Sequence, residues 1–337
     1  MIVDAIQKLT ERVDLSEQEA RASMEQIMAG QATDAQIQIG AFLTALRMKG
    51  ETQAELIGFA RVMREKAEPL WDGEVPDVLD TAGTGGDRCG TFNISTAAAF
   101  VVAGSGIRVA KHGNRSATSK CGSADVMEAL RLDIQMPIER LRRAIKDVGI
   151  GFLFAPRFHS SMKYVMPARS QLKIRTVFNI LGPLASPAAA RFQVVGVFSP
   201  TLMELMANAL LGLGLDCALV VHGADGVDEV SISTKTNVVE MRRGEIRKFT
   251  INPEDLGITP APAEAIRGGD AATNAGIIEA ILKGESGPRR SVVLLNAAAA
   301  IFAGGAVHTL KEGMAAAANS IDSGAAWKTL CRLREFA

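Results

Sequence analysis

Three short stretches of this 337-residue chain combine residue types suited to anion and metal chemistry. The first, GTGGDRCGTFNIST from Gly83 to Thr96, sets glycines, Asp87 and a run of hydroxyls between two apolar segments. The second, KHGNRSATSKCGSAD from Lys111 to Asp125, adds Lys111, His112, Arg115 and Lys120 to the same kind of pliable backbone. Glycine-rich turns let main-chain N–H groups converge on an anion, and a following helix adds the positive end of its dipole. One glycine cluster alone also fits an ordinary tight turn that needs positive φ. Two clusters, each between an apolar run and a helical one, point to phosphate. Neither matches GxxxxGK followed by Ser or Thr, nor GxGxxG, so a P-loop and a dinucleotide fold are not supported. The third stretch, GADGVDEVSIS, places Asp228 and Glu229 side by side before a run read as a short strand. Such hard oxygen donors suit Mg²⁺, which keeps most of its waters and bridges to substrate phosphates. By itself the pair reads as an acidic turn. It becomes a metal site if the fold sets it opposite the two glycine-rich loops.

The elements that must position these stretches follow from periodicity. The first 70 or so residues read as three or four short helices without strand signal. Ser16 with Glu19, Thr33 with Gln36 and Thr52 with Glu55 carry the capping-box pattern, and Gly30 stands where a helix stop belongs. Ile37, Ala41, Leu43 and Leu46, then Leu56, Phe59, Val62 and Met63, recur at helical spacing and are expected to face a core. From VPDVLD onward, β-like runs (IRVAKHG, GIGFLFA, FQVVGVF, CALVVHG) alternate with helical ones (STAAAFVVAGS, SADVMEALRL, PIERLRRAIKDVG, SPTLMELMANALLGLG). That alternation predicts α/β architecture with a mostly parallel, buried sheet. EVSIST and NVVEMRRGEIRKFTI read as a small β-rich hairpin region, and NAGIIEAILKGE and SVVLLNAAAAIFAGG as helices. The Pro-interrupted helical segment YVMPARSQLKIRTVFNILGPLASP is placed to cross between domains.

Composition narrows the function classes. Lys plus Arg and Asp plus Glu number 37 each, so the formal net charge is zero, which argues against bulk binding of nucleic acid or anionic membrane. One Tyr and two Trp leave little for base stacking. Cys89, Cys121, Cys217 and Cys331 share no metal-ligand spacing and read as reduced thiols. The charged N-terminus has no signal-peptide pattern, and STAAAFVVAGSGI is too short and glycine-broken to span a bilayer. A cytoplasmic enzyme with neither nucleic-acid nor membrane partner is the expectation.

Together, DTAGTGGDRCGTFNIST, AKHGNRSATSKCGSADVMEAL, FLFAPRFHSSMKYVMPARSQLKIRTVFNILGPLASP, GVDEVS and RGGDAATNAGIIEAIL closely resemble the anthranilate phosphoribosyltransferases of tryptophan biosynthesis, in that family's order. The resemblance runs from the N-terminal helices to Gly305. It implies a small N-terminal α-helical domain over residues 1–72, joined by helices within 163–190, and a larger α/β domain over 73–337. It further implies a homodimer formed through the helical domains. The implied reaction joins anthranilate to 5-phosphoribosyl 1-diphosphate (PRPP) and releases diphosphate, with about two Mg²⁺ per subunit.

Carried over position by position, Gly83, Gly86 and Asp87 would line the diphosphate and ribose. Thr91, Asn93, Ile94, Ser95 and Thr96 would hold the diphosphate. Lys111, His112, Gly113, Asn114, Arg115, Ser116, Ala117, Thr118, Ser119 and Ser123 complete the implied PRPP site. Ser95, Asp228 and Glu229 would hold metal, and Gly83, Asn114, His159, Arg169 and Gly182 would meet anthranilate. Lys111 and His112 are the candidates for a catalytic part, in a reaction driven mainly by positioning and electrostatics. His112 and His159 read equally as packing residues. One departure stands out: where family members commonly carry Gly after GTGGD, this chain has Arg88 and Cys89, and a left-handed conformation there would strain Arg88. Two other readings remain: an enzyme like the pyrimidine-nucleoside phosphorylases, and a non-enzymatic nucleic-acid-binding relative of the fold.

Overall fold

Two of the expected caps start helices as read. In the computed structural model, which describes residues 2–31, 34–116 and 120–336, Ser16 and Thr52 each accept from the amide three residues on, and Glu19 and Glu55 bond back to the cap amides. Thr33 lies outside the described residues. Four helices result: α1 (Ile2–Thr10), α2 (Glu17–Met28), α3 (Ala35–Lys49) and α4 (Gln53–Lys66). Leu56, Phe59, Val62 and Met63 of α4 are buried as expected. The expected face of α3 is rotated. Ile39, Phe42, Leu43 and Leu46 are buried, whereas Ile37 is 74% exposed and Ala41 is exposed too. Ile39 and Phe42 fit the same periodicity as well as Ile37 and Ala41 do, so spacing alone could not choose between the two stripes.

The remainder is built on a sheet. Its elements are β1 (Leu79–Asp80), α5 (Ile94–Gly104), β2 (Val109–Gly113), α6 (Ser123–Ala129), α7 (Ile138–Asp147), β3 (Ile150–Phe154) and α8 (Ala155–Phe158). Then follow α9 (Met166–Leu172), α10 (Phe178–Leu181), β4 (Phe192–Gly196), α11 (Met203–Gly212), β5 (Cys217–Gly223), β6 (Thr236–Arg242) and β7 (Glu245–Ile251). Four helices close the chain: α12 (Ala271–Leu282), α13 (Pro288–Ala303), α14 (Leu310–Asp322) and α15 (Ala325–Phe336). The strand order is β3-β2-β1-β4-β5-β6-β7; β1 to β5 are parallel, and β6 and β7 add an antiparallel edge. The β6–β7 turn holds Arg243 and Gly244 at φ of 51° and 90°, the left-handed geometry of a tight hairpin. EVSIST forms no strand, which corrects that expectation: Val230 gives both its backbone groups to Asn296, the Ser231 amide donates to Thr236 Oγ1, and the Ser231 and Ser233 hydroxyls donate to Asp225.

Both faces of the parallel strands are covered. Along β5, Cys217, Leu219 and Val221 belong to one apolar cluster with α5, α12 and α13. Ala218 and Val220 point the other way, into a cluster with α11, α1 to α4 and the 165–185 segment. This two-sided burial explains why the strands read as continuous apolar runs rather than alternating ones.

Candidate active site

All three chemistry-bearing stretches leave the carboxyl ends of parallel strands: β1 opens into GTGGD, β2 into KHGNR and β5 into GADGVDE. Ligands of open α/β sheets bind at this edge. Backbone proximity decides the detail. A Cβ on Gly196, the last residue of β4, would lie 1.5 Å from the Asp228 carbonyl, so only glycine lets the acidic turn press against the sheet. Asn296 of α13 anchors the exit of that turn, accepting from the Val230 amide at 2.8 Å and donating to its carbonyl at 3.0 Å.

The acids meet the first glycine loop directly. The Ser95 amide donates to Glu229 Oε1 at 3.1 Å, so a carboxylate already sits at the N-terminus of α5. The Asp228 amide approaches Asp87 Oδ2 at 3.4 Å. Lys111 is 2% exposed and donates to Ser95 Oγ at 3.2 Å, to the Thr81 carbonyl at 3.2 Å and to Thr81 Oγ1 at 3.1 Å. Burial lowers the Lys111 pKa, while Asp80 and Glu229 pull it back toward the charged form. Burial raises Glu229 to about 7, against the pull of Lys111. Burial, then Asp87 and Glu229, push Asp228 well above the usual carboxylate range. Crowded acids of this kind call for a cation. Among the described residues no group of three or more His, Cys, Asp and Glu forms a cage for one. Two carboxylates and a serine hydroxyl are the hard oxygen donors by which Mg²⁺ is held, so the donor set fits.

The second loop lies against the first through Asn93, whose Nδ2 donates to the Cys121 carbonyl at 3.3 Å. Within it, Ser123 Oγ bridges the Asn114 amide and carbonyl at 3.2 and 3.3 Å. Asp125 accepts from the amides of Ser116 and Gly122, and a Cβ on Gly113 would meet Ser123 Oγ at 2.3 Å. Asn114 is exposed. Arg115 pairs with Asp125 and Glu128 of α6 at 2.9 and 2.6 Å, so its charge is engaged beside the loop. Ala117, Thr118 and Ser119 lie outside the described residues.

Other expected contacts sort by exposure. Gly83 packs on the Gly196 carbonyl, and Thr91 bridges to Arg267. The side chains of Ile94 and Thr96 are buried and their amides bond to the carbonyls of Phe92 and Asn93, while Thr96 Oγ1 is buried without a partner. Arg88 adopts φ of 65°, the strained conformation anticipated for it. Burial, then Asp87, push the Cys89 thiol up to about 12, which disfavours the nucleophilic thiolate.

His112 and His159 are both buried, with ring centroids 5.4 Å apart. Burial, with His159 beside it, lowers His112 to about 3; burial lowers His159 to about 4. His112 Nδ1 lies 3.2 Å from the Gly182 carbonyl, so Nδ1 carries the proton and the unpartnered Nε2 keeps its lone pair. Arg169 on α9 is half-buried over the Phe178 ring at 5.4 Å, and no carboxylate reaches it among the described residues. A concavity of about 520 Å³ lies at the opposite end of the sheet, lined in part by Asp77, Arg108, Lys146 and Phe192; no expected site residue faces it.

Three residues were missed from the sequence. Asp80, wholly buried, accepts from the His112 amide at 3.1 Å, and burial raises it to about 6. Arg175 stacks on Phe198 at 4.0 Å and donates to the Gly86 carbonyl, tying the 163–190 segment to GTGGD. Asn274 bonds Asn93 across 181 positions. An acid at the end of an apolar strand was a signal for Asp80; nothing local marked the other two.

Comparison with known proteins agrees with this geometry. Residues 75–327 match the glycosyl transferase family a/b domain, and residues 3–67 its helical bundle domain. An anthranilate phosphoribosyltransferase from Symbiobacterium thermophilum is 55% identical over 331 residues, covering 98% of this chain and 96% of the relative. The crystal structure of anthranilate phosphoribosyltransferase from Thermus thermophilus superposes with a TM-score of 0.92 at 44% identity, covering 99% of each chain. The Saccharomyces cerevisiae enzyme in complex with PRPP and Mg superposes at 0.91 with 28% identity, covering 99% of this chain and 97% of that one. Full-length identity of this degree, with the three stretches gathered at one sheet edge, places the chain in the anthranilate phosphoribosyltransferase family.

Proposed function

We infer that this protein transfers the 5-phosphoribosyl group of PRPP to the amine of anthranilate, giving N-(5-phosphoribosyl)anthranilate and diphosphate, in tryptophan biosynthesis. What carries the reading is the meeting of Lys111, Ser95 and Glu229 at the N-terminus of α5, with Asp87 and Asp228 beside them. The ribose C1–O bond breaks, its electron pair leaves with diphosphate, and the anthranilate nitrogen bonds to C1 and then loses a proton. Lys111 and the amides of the glycine loops stabilise the charge that grows on the leaving group; one preorganised donor contributes about 3 kcal/mol. Asp228, Glu229 and Ser95 would hold Mg²⁺, about two per subunit. When bound, the metal neutralises charge on the departing diphosphate.

The acceptor side needs no strong base, because an aromatic amine is already neutral near pH 7. Neutral His112 and His159 suit that: they orient the amine and the ring without adding charge. Arg169 offers its fork of N–H donors to the anthranilate carboxylate. Residues 1–72 would act as the helical domain and 73–337 as the catalytic one. Ile37, Ala41 and Met48 fall on one exposed stripe of α3, which supports a homodimer through the helices. No described helix is long and apolar enough to cross a membrane; a cytoplasmic location accords with the biosynthetic step.

Purified protein mixed with PRPP and Mg²⁺ should extinguish anthranilate fluorescence. Unchanged fluorescence alongside phosphorolysis of thymidine would replace this reading with the nucleoside phosphorylase one.

A further inference from the structure

The RGGDAATN stretch from Arg267 to Asn274 has no part in the roles above, yet it is laced to the first glycine loop. Gly268 N–H donates to the Gly90 carbonyl at 2.9 Å, and Phe92 N–H donates to the Ile266 carbonyl at 3.2 Å. Asn274, 1% exposed near the start of α12, accepts from the Gly269 amide at 2.8 Å. Its Nδ2 then donates to Asn93 Oδ1 at 2.9 Å.

Asn93 is the residue before α5, where an asparagine ordinarily turns its oxygen onto the amides of the first turn. Here it makes no such cap. Its oxygen takes the Asn274 donor together with the Cys121 thiol, and its Nδ2 reaches the Cys121 carbonyl. One buried amide thus does two things. It keeps the natural capping group away from the helix terminus, where Glu229 now meets the Ser95 amide. It also orients the side chain that spans from the first glycine loop to the second.

We propose that Asn274 is a positioning residue for PRPP: by holding the Asn93 side chain against Cys121, it fixes the group that joins the two glycine-rich loops around the diphosphate. This rests on the transferase reading above. Freed from Asn274, the Asn93 amide would lose the donor that fixes its orientation between the two loops.

The test compares Asn274→Ala, Asn93→Ala and the double variant of the full chain, following anthranilate fluorescence with each substrate varied in turn. Asn274→Ala should raise the KM for PRPP about tenfold, in the range lost when a partner that orients a ligand-binding group is removed. The KM for anthranilate should stay near wild type. In the Asn93→Ala background the same change should shift the PRPP KM less than about twofold, since coupled residues are not additive. Effects that multiply independently, equal rises in both KM values, or no change would each overturn the proposal. Should Asn274→Ala fail to fold, Asn274→Asp keeps the volume and the acceptor for Gly269 while losing the donor to Asn93, and is read the same way. A wild-type protein that consumes no anthranilate defeats the transferase reading; an active wild type with an unaffected Asn274 variant defeats this inference alone.

Discussion

Arg169 and the two buried histidines carry the sharpest consequences of single side chains. Losing a bidentate, charge-assisted contact costs about 2 kcal/mol, so Arg169→Ala should raise the KM for anthranilate about 30-fold. The KM for PRPP should move little in the same assay, and equal changes in both would remove the carboxylate role. The two histidines weaken acid stability, against the buried carboxylates Asp80, Asp228 and Glu229, whose raised pKa values act the other way. Unfolded imidazoles take up protons near pH 6.5, whereas folded His112 and His159 do so only near 3 and 4. Between those values the unfolded chain binds more protons, so their contribution is complete above about pH 6.5 and is lost as pH falls toward 4. His159→Gln should flatten the fall of Tm across that window, measured by thermal unfolding at stepped pH. Arg88 was readable in advance because a bulky residue follows GTGGD, and its φ of 65° bears the expectation out. Arg88→Gly should relieve about 1 kcal/mol of strain and raise Tm by up to about 2 °C in a calorimetric scan.

Among the elements, the close approach of β4 to the acidic turn is the most sensitive feature. Gly196→Ala drives a methyl into the Asp228 carbonyl, and a displacement of about 1 Å in that turn should lower kcat/KM for PRPP about 100-fold. A fully active Gly196→Ala protein would mean that the turn has no part in holding the metal or substrate. Much at this level was legible beforehand. Strands and helices alternate where the apolar runs do, and Ser16 and Thr52 cap their helices because the pattern that announces a cap is local. What escaped was set by distant partners. EVSIST has strand-forming residues, but Asn296 takes the backbone groups of Val230, and that asparagine is 66 residues away. The phase of α3 depended on which stripe meets the other helices, and the pairings of Arg175 with Gly86 and of Asn274 with Asn93 join segments that no spacing rule connects.

Across the assembled protein, the homodimer proposed above would seat its second copy on the stripe left open on α3. Ile37→Glu with Met48→Glu should halve the mass seen by light scattering while leaving the fold intact by circular dichroism; an unchanged mass would put the contact elsewhere. The strands have a different consequence. Ala218 and Val220 of β5 and Val239 and Met241 of β6 lie in the same apolar cluster as the N-terminal helices, while their neighbours Cys217, Leu219 and Val221 serve the opposite layer. Heat cannot strip one layer away without laying bare the back of the other. Melting should therefore register as one endotherm, its van't Hoff and calorimetric enthalpies alike, even though the chain is long enough to have been two independent folding units.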